Sequence, residues 1–230
     1  MCIRDSSSID CAKAVGARVA KPHQSLEKMK GILKVHKKLP LLIAIPTTAG
    51  TGSETTLAAV ITDAESRHKY PINDFPLIPR VAVLDPKVTA SLPPFLTATT
   101  GMDALTHAVE AYIGNSTTAG TRADALFAVK MIFENIDRAY TDGSDLEARK
   151  NMLLAAFSAG CAFSKSYVGY VHAVAHSLGG EYNAVSYTHL DVYKRQCYCC
   201  AKLIICNFVC TVFQAHSILW RNEYVATVSY

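Results

Sequence analysis

Charge of one dominant sign is missing from this chain of 230 residues: 23 Lys and Arg face 19 Asp and Glu, a formal net charge of +4. No basic stripe with interleaved aromatics occurs, which argues against a nucleic-acid partner. The cluster Lys28, Lys30, Lys34, Lys37 and Lys38 reads as a solvated helix face with some capacity to attract an anionic ligand. Long apolar runs are missing too. The tail run from Leu203 to Phe213 is broken by Asn207 and falls short of the roughly 20 residues a membrane helix needs, so no membrane partner is expected. Internal repeats, low-complexity linkers and a visible secretory signal are likewise absent.

Cysteine is scarce where a core would form. Of eight, Cys197, Cys199, Cys200, Cys206 and Cys210 crowd the tail and Cys2 stands at the start, leaving Cys11 and Cys161 between them. Two isolated thiols make no disulfide framework and serve as small apolar residues. A reducing, cytoplasmic setting is therefore expected. The CYCC cluster lacks the matching second half of a thiolate metal site.

Against these absences stand two pairs of residues four apart: Asp103 and His107 in GMDALTHAVEAY, and His172 and His176 in GYVHAVAHSLGG. Such spacing puts both side chains on one helical face, with Cβ atoms roughly 5–6 Å apart, so each pair aims two metal or proton ligands at one point. Between Met102 and Ile113 the ionisable groups besides Tyr112 are Asp103, His107 and Glu110, on one stripe. Leu105, Val109 and Tyr112 form a largely apolar opposite stripe, and no Lys or Arg marks a solvated face. A helix this apolar is buried on more than one side, and a buried carboxylate or imidazole needs a partner or a cation. A hydrogen-bonded Asp-His pair in a helical core is the alternative reading.

A second feature is the apolar run Leu39 to Pro46, which feeds into Thr47-Thr48-Ala49-Gly50-Thr51-Gly52-Ser53-Glu54. A buried strand ending in glycines and hydroxyls suits a phosphate-bearing ligand, because Gly lets backbone N–H groups approach and hydroxyls donate to phosphate oxygens. A tight turn whose hydroxyls satisfy the backbone is the alternative.

PTTAGTGSE, GMDALTHAVEAYI and VHAVAHSLGGEYN, in that order, resemble the iron-containing (group III) alcohol dehydrogenases. The resemblance begins at Ser7-Ser8-Ile9-Asp10-Cys11-Ala12-Lys13, similar to the end of the family's GGGSxxDxAK pyrophosphate turn, and runs to about Asn183. It implies a dinucleotide-binding α/β domain followed by an all-helical domain holding Fe2+, or Zn2+, between one Asp and three His. The matching ligands are Asp103, His107 and His172, and His176 takes a catalytic role in proton relay or positioning. Ser7, Thr47, Thr48, Gly50, Thr51 and Lys69 match the cofactor-binding region for NAD or NADP. The implied reaction is hydride transfer between nicotinamide and a small-molecule alcohol or aldehyde, with the metal as Lewis acid, in a homo-oligomeric parent. Relatives of the glycerol dehydrogenase or dehydroquinate synthase kind, or a nucleotide-binding fragment without catalysis, are the competing readings.

Two motifs break off. Met1 to Ser6 reads MCIRDS where three glycines should precede Ser7, and Val185-Ser186 stands where a Pro-His pair should bring the fourth ligand. Back-translating Asp191 to Gln196 as GAT GTG TAT AAG AGA CAG and shifting one base gives the codons of Met1 to Ser6. The reverse complement encodes Val185-Ser186-Tyr187-Thr188-His189 and begins Leu190, and Val228-Ser229-Tyr230 starts the word again. This word resembles the transposon end used to build sequencing libraries. Residues 1–6 and 185–196 are thus expected to be translated adapter, and 197–230 an unrelated stretch joined by it.

The expected organisation is α/β followed by all-α: a remnant of a Rossmann-like domain over 7–93, then part of a helical metal domain over 94–184. Helices are expected at Asp10–Val19 and at Leu26–Lys38, the latter with Ser25 as N-cap. Leu41–Ile45, Leu57–Thr62 and Arg80–Leu84 should be strands of a mostly parallel, covered sheet. Gly101–Ile113, Thr121–Tyr140 and Leu146–Ser164 should be helical, with Ser144 and Glu147 a capping box. Gly179-Gly180 should stop the helix carrying His172 and His176.

Overall fold

The computed structural model describes residues 5–63, 69–167 and 169–173. All lie in one compact unit, Met1–Asn183, and the second unit, Ala184–Tyr230, falls outside the described residues. His176 and the Gly179-Gly180 stop lie outside them as well.

The first part is α/β. Helix α1, Asp5–Ala20, precedes β1, Gly31–Ile32, β2, Ile43–Ala44, β3, Ala58–Thr62, β4, Lys69–Asn73, and β5, Val81–Ala82. One sheet has the order β1-β4-β3 and the other pairs β2 with β5. β1–β4 and β2–β5 are parallel, whereas β3–β4 is antiparallel, with Ala58 opposite Asn73 and Thr62 opposite Lys69. Ala17 of α1 packs with Met29, Val35, Tyr70, Ile72 and Leu77 as the core of this part.

Two expectations need correction here. Leu26–Lys38 is not a helix. Ser25 Oγ does accept from Lys28 N, at 3.4 Å, but only a single 3₁₀ turn, Glu27–Met29, follows. Gly31, Leu33 and His36 then take positive φ values of 102°, 53° and 49°. The carboxylate of Asp74 holds this unwound path by accepting from Val35 N at 2.8 Å and His36 N at 3.0 Å, which lets Met29 and Val35 both reach the core. Nor is the sheet covered throughout. Ala44 and Pro46 are buried, but Leu41, Ile43 and Ile45 are 71, 51 and 49% exposed, beside the exposed Val81 and Val83. A continuous apolar run calls for cover on both faces, and β2 has it on one. β4 was not among the expected strands; its Pro71 removes a ladder donor and blurs the pattern.

The second part is helical: α2, Pro94–Ile113, α3, Ala119–Thr141, and α4, Leu146–Ser166. No described helix is long and apolar enough to cross a membrane. α2 starts about two turns earlier than the sequence suggests, because Pro94 is suited to the first helical position, where no N–H is needed. Thr118 and Thr121 form a reciprocal cap on α3. On α4 the cap is Asp145, whose carboxylate accepts from Ala148 N at 2.9 Å. Ser144, the expected cap, instead donates to Asp142.

Buried Arg149 ties α4 to the start of α2, donating to Thr97 Oγ1 at 2.6 Å, Leu92 O at 3.2 Å and Gly143 O at 3.1 Å. Where the three helices meet, Gly101 leaves no room for a Cβ, which would lie 2.9 Å from both Ile136 and Met152. This close packing fixes α2 against its neighbours and so fixes the polar stripe it carries.

Candidate metal centre and cofactor loop

Asp103, His107 and Glu110 all project from α2, and the chain returns to them after α4. Tyr167, at a φ of 67°, breaks the α4 path, and helical residues 170–173 bring His172 back to α2. Asp103, His107 and His172 each offer one donor atom, and the three atoms lie within 4.8 Å of one another. His172 Nε2 is 3.8 Å from Asp103 Oδ1. The expected ligands on α2 and the later helix are thus brought to one point.

The rings are held by stacking. His107 lies between Phe163, at 4.1 Å between centroids, and His172, at 4.3 Å, each pair inclined by 16°. Burial drives the His107 pKa down to about 4, against the upward pull of Asp103, with the neighbouring His172 lowering it further and a hydrogen bond to the Gly50 backbone opposing. His107 is therefore neutral across the physiological range, as a metal ligand must be. Burial also disfavours charge on His172, but hydrogen bonds to Asp103 and Glu110 and their negative charges outweigh it and raise its pKa.

His107 Nδ1 is buried without a hydrogen-bond partner. Such an orphan costs about 1–3 kcal/mol, and the set of one carboxylate and two imidazoles is one that iron or zinc accepts. These residues fit a divalent metal ion.

Glu110 is the residue that the sequence placed on the polar stripe without a role. It is buried, and it meets His172 Nδ1 at 2.5 Å, Gly169 N at 3.0 Å and Val171 N at 2.7 Å. Burial would raise its pKa, and these hydrogen bonds together with the His172 charge hold it below the usual value instead. Its partners lie about sixty residues away in the chain, so spacing could not reveal them.

The glycine- and threonine-rich loop, expected to bind the cofactor, runs between α2 and α4. A Cβ at Gly50 would sit 2.5 Å from Thr100 O, and one at Gly160 would sit 2.3 Å from Thr55 Oγ1 and 3.2 Å from Gly52 Cα. Gly52 adopts a φ of 62°, which suits glycine. From the other side α1 anchors the loop. Lys13, wholly buried, donates to Ser53 O at 2.7 Å and to Thr56 O and Ala58 O at 2.9 Å. Asp10 accepts from Ser53 Oγ at 2.9 Å. Desolvation brings Lys13 down to about 8, with Asp10 and Glu54 opposing.

Thr48 and Gly50 are buried, while Thr47 and Thr51 are partly exposed. Thr55 and Thr56 hydroxyls bond within the loop. Ser7 lies exposed on α1, less than one turn before Asp10, and Lys69 stands exposed opposite Thr62, at the end of β3 farther from the loop. The loop and the ligand helix therefore meet at Gly50, whereas Lys69 is set apart from the Ser53–Thr56 turn.

Residues 5–86 match the family model for iron-containing alcohol dehydrogenase and residues 97–186 the C-terminal model of the same family. NAD-dependent methanol dehydrogenase of Bacillus methanolicus is 42% identical over 199 residues, covering 84% of this chain and 52% of the relative. A probable alcohol dehydrogenase, EutG, of Salmonella typhimurium is 49% identical over 173 residues, covering 75% of this chain and 44% of the relative. The crystal structure of a 1,3-propanediol oxidoreductase superposes with a TM-score of 0.74 at 42% identity, over 77% of this chain and 46% of that one. The chain thus spans about half the length of the relatives it matches. With both of its parts matched in order, and with Asp103, His107 and His172 converging beside the Gly50 loop, the chain belongs to the iron-containing alcohol dehydrogenase family.

Proposed function

We propose that residues 7–184 are the cofactor-loop and metal-binding part of an iron- and NAD-dependent alcohol dehydrogenase or aldehyde reductase, with 7–93 and 94–184 as its two partial domains. The observation that carries this reading is the convergence of Asp103, His107 and His172 next to a glycine loop whose backbone reaches His107. The family description supports iron, and the methanol dehydrogenase named above supports NAD. Zinc and NADP draw no support from these matches.

In this reading Asp103, His107 and His172 hold the ion, which supplies Lewis acidity toward the substrate oxygen. Neutral His107 needs to lose no proton on binding, whereas on His172, whose pKa is raised by the two carboxylates, any proton on the ligating nitrogen has to leave. The loop from Thr47 to Ser53, clamped by Lys13 on one side and by Thr100 and Gly160 on the other, would hold the dinucleotide. The nicotinamide would supply the hydride acceptor for the alcohol carbon, and His176, the proposed relay, would take the hydroxyl proton. Ser7 and Lys69 are assigned to the cofactor, and the setting is a reducing cytoplasm, consistent with the free thiols of Cys11 and Cys161.

This 230-residue chain by itself is proposed to turn over little or no alcohol, because Val185 and Ser186 replace the Pro-His pair that carries the fourth ligand. Anaerobic Fe2+ titration of the chain tests the site. Asp103→Ala, His107→Ala and His172→Ala should each weaken binding by at least about tenfold, since each removes a ligand from an already incomplete set. Equal affinity in all three variants would remove the metal reading.

A further inference from the structure

Glu110 is buried too deeply to be explained as a solvated face, and it faces three hydrogen-bond donors at once. Its Oε2 meets His172 Nδ1 at 2.5 Å and Gly169 N at 3.0 Å, and its Oε1 meets Val171 N at 2.7 Å. It approaches His172 on Nδ1, whereas Asp103 lies on the Nε2 side, at 3.8 Å. Glu110 is therefore not one of the converging ligand groups. It grips the opposite ring nitrogen of one of them, and the backbone just ahead of that residue in the chain.

We propose that Glu110 is a positioning residue for the metal centre, keeping the His172 proton on Nδ1 so that Nε2 can offer its lone pair to an ion that Asp103 also ligates. The inference rests on the metal reading above and names the group that prepares one ligand for it. A neutral imidazole carries one N–H, and which nitrogen keeps it depends on the acceptor at hand. A carboxylate offers only acceptors, so a neutral ring that donates to Glu110 keeps its proton on Nδ1 and leaves Nε2 for the ion. The bonds to Gly169 and Val171 fix the segment that delivers the ring, and they leave no space there: a Cβ on Gly169 would lie 2.8 Å from Glu110 Oε1.

The chemistry of the amide makes the test specific. Glutamine has the same shape but one acceptor oxygen, and its NH₂ group is a donor. It cannot accept from Gly169, Val171 and His172 together. If the NH₂ group takes the Oε2 position, it donates to Nδ1 and moves the ring proton to Nε2, the atom the metal needs. If it takes the Oε1 position, it opposes Val171 N–H and loosens the segment.

The test uses the full 230-residue chain with and without Glu110→Gln, two readouts being taken. Imidazole nitrogen chemical shifts by NMR, in metal-free protein at a pH above the His172 titration, should show the Nδ1–H tautomer in the parent chain and its loss in the variant. Co2+ affinity, followed by the visible absorption of the bound ion, should fall about 10–100-fold, the range for removing an outer partner of a ligating histidine. Should Glu110→Gln fail to fold, Gly169→Ala keeps the carboxylate and its charge but displaces the oxygen, and should cause the same tautomer change. A variant that keeps the Nδ1–H form, or one that binds Co2+ within about twofold of the parent chain, overturns the proposal. Absence of Co2+ binding by the parent chain would count against the metal reading alone, since the tautomer comparison still decides the role of Glu110.

Discussion

Lys13 shows how much of the site depends on a residue that touches no expected metal ligand. Its ammonium is the α1 anchor of the glycine loop, reaching Ser53, Thr56 and Ala58 while fully buried. Its folded pKa, about 8, lies below the ordinary 10.5, so between those values the unfolded chain keeps a proton that the native chain has released. The contribution of Lys13 to stability is therefore fully present above 10.5 and is lost as pH falls toward 8, a change of about 3 kcal/mol. Denaturant titrations from neutral to alkaline pH should show this gain in the parent chain relative to Lys13→Met. The variant should also lose about 1–3 kcal/mol at neutral pH through orphaned carbonyls. Matching pH profiles would show that the ammonium is not desolvated as described. Asp103 and His107 were legible as a pair because helical spacing is a local property, whereas His172 joined them through the family resemblance, and the structure brings its ring to theirs. The role of Glu110 was not, because its three partners arrive from beyond α4.

Among elements, the helices were easier to read than the chain between them. α2, α3 and α4 were expected as helices, but their starts were not read correctly: α2 begins at Pro94 rather than Gly101, and the caps are Thr118 on α3 and Asp145, not Ser144, on α4. Leu26–Lys38 has the composition of a helix but not its conformation, since a carboxylate nearly forty residues away captures Val35 N and His36 N. The loop against α4 depends on two glycines in contact, Gly52 and Gly160. Gly160→Ala should therefore cost about 1–3 kcal/mol by overpacking, although alanine favours helices. Urea denaturation of the variant measures this, and an unchanged or raised midpoint would contradict the close approach.

For the molecule as a whole, the open face of the β2–β5 sheet is the feature with the broadest consequence. Leu41, Ile43, Ile45, Val81 and Val83 present apolar side chains to solvent, and adjoining exposed hydrophobic residues promote association. Sedimentation velocity over a concentration series should show the chain self-associating, and Ile43→Thr with Val81→Thr should reduce this without unfolding it. A parent chain that stays monomeric throughout would show that the face is covered in solution.

The sequence alone determined the α/β-then-helical order, the glycine loop and the two-part ligand pattern, because periodicity, turn chemistry and four-residue spacing act over a few neighbouring residues. Only the tertiary structure decided which nitrogen of His172 Glu110 holds, how Lys13 and Gly160 clamp the loop, and why one helix-like stretch unwinds. Each of those outcomes depends on partners far apart in the chain, where burial makes a hydrogen bond left unmade more costly than a local preference overruled.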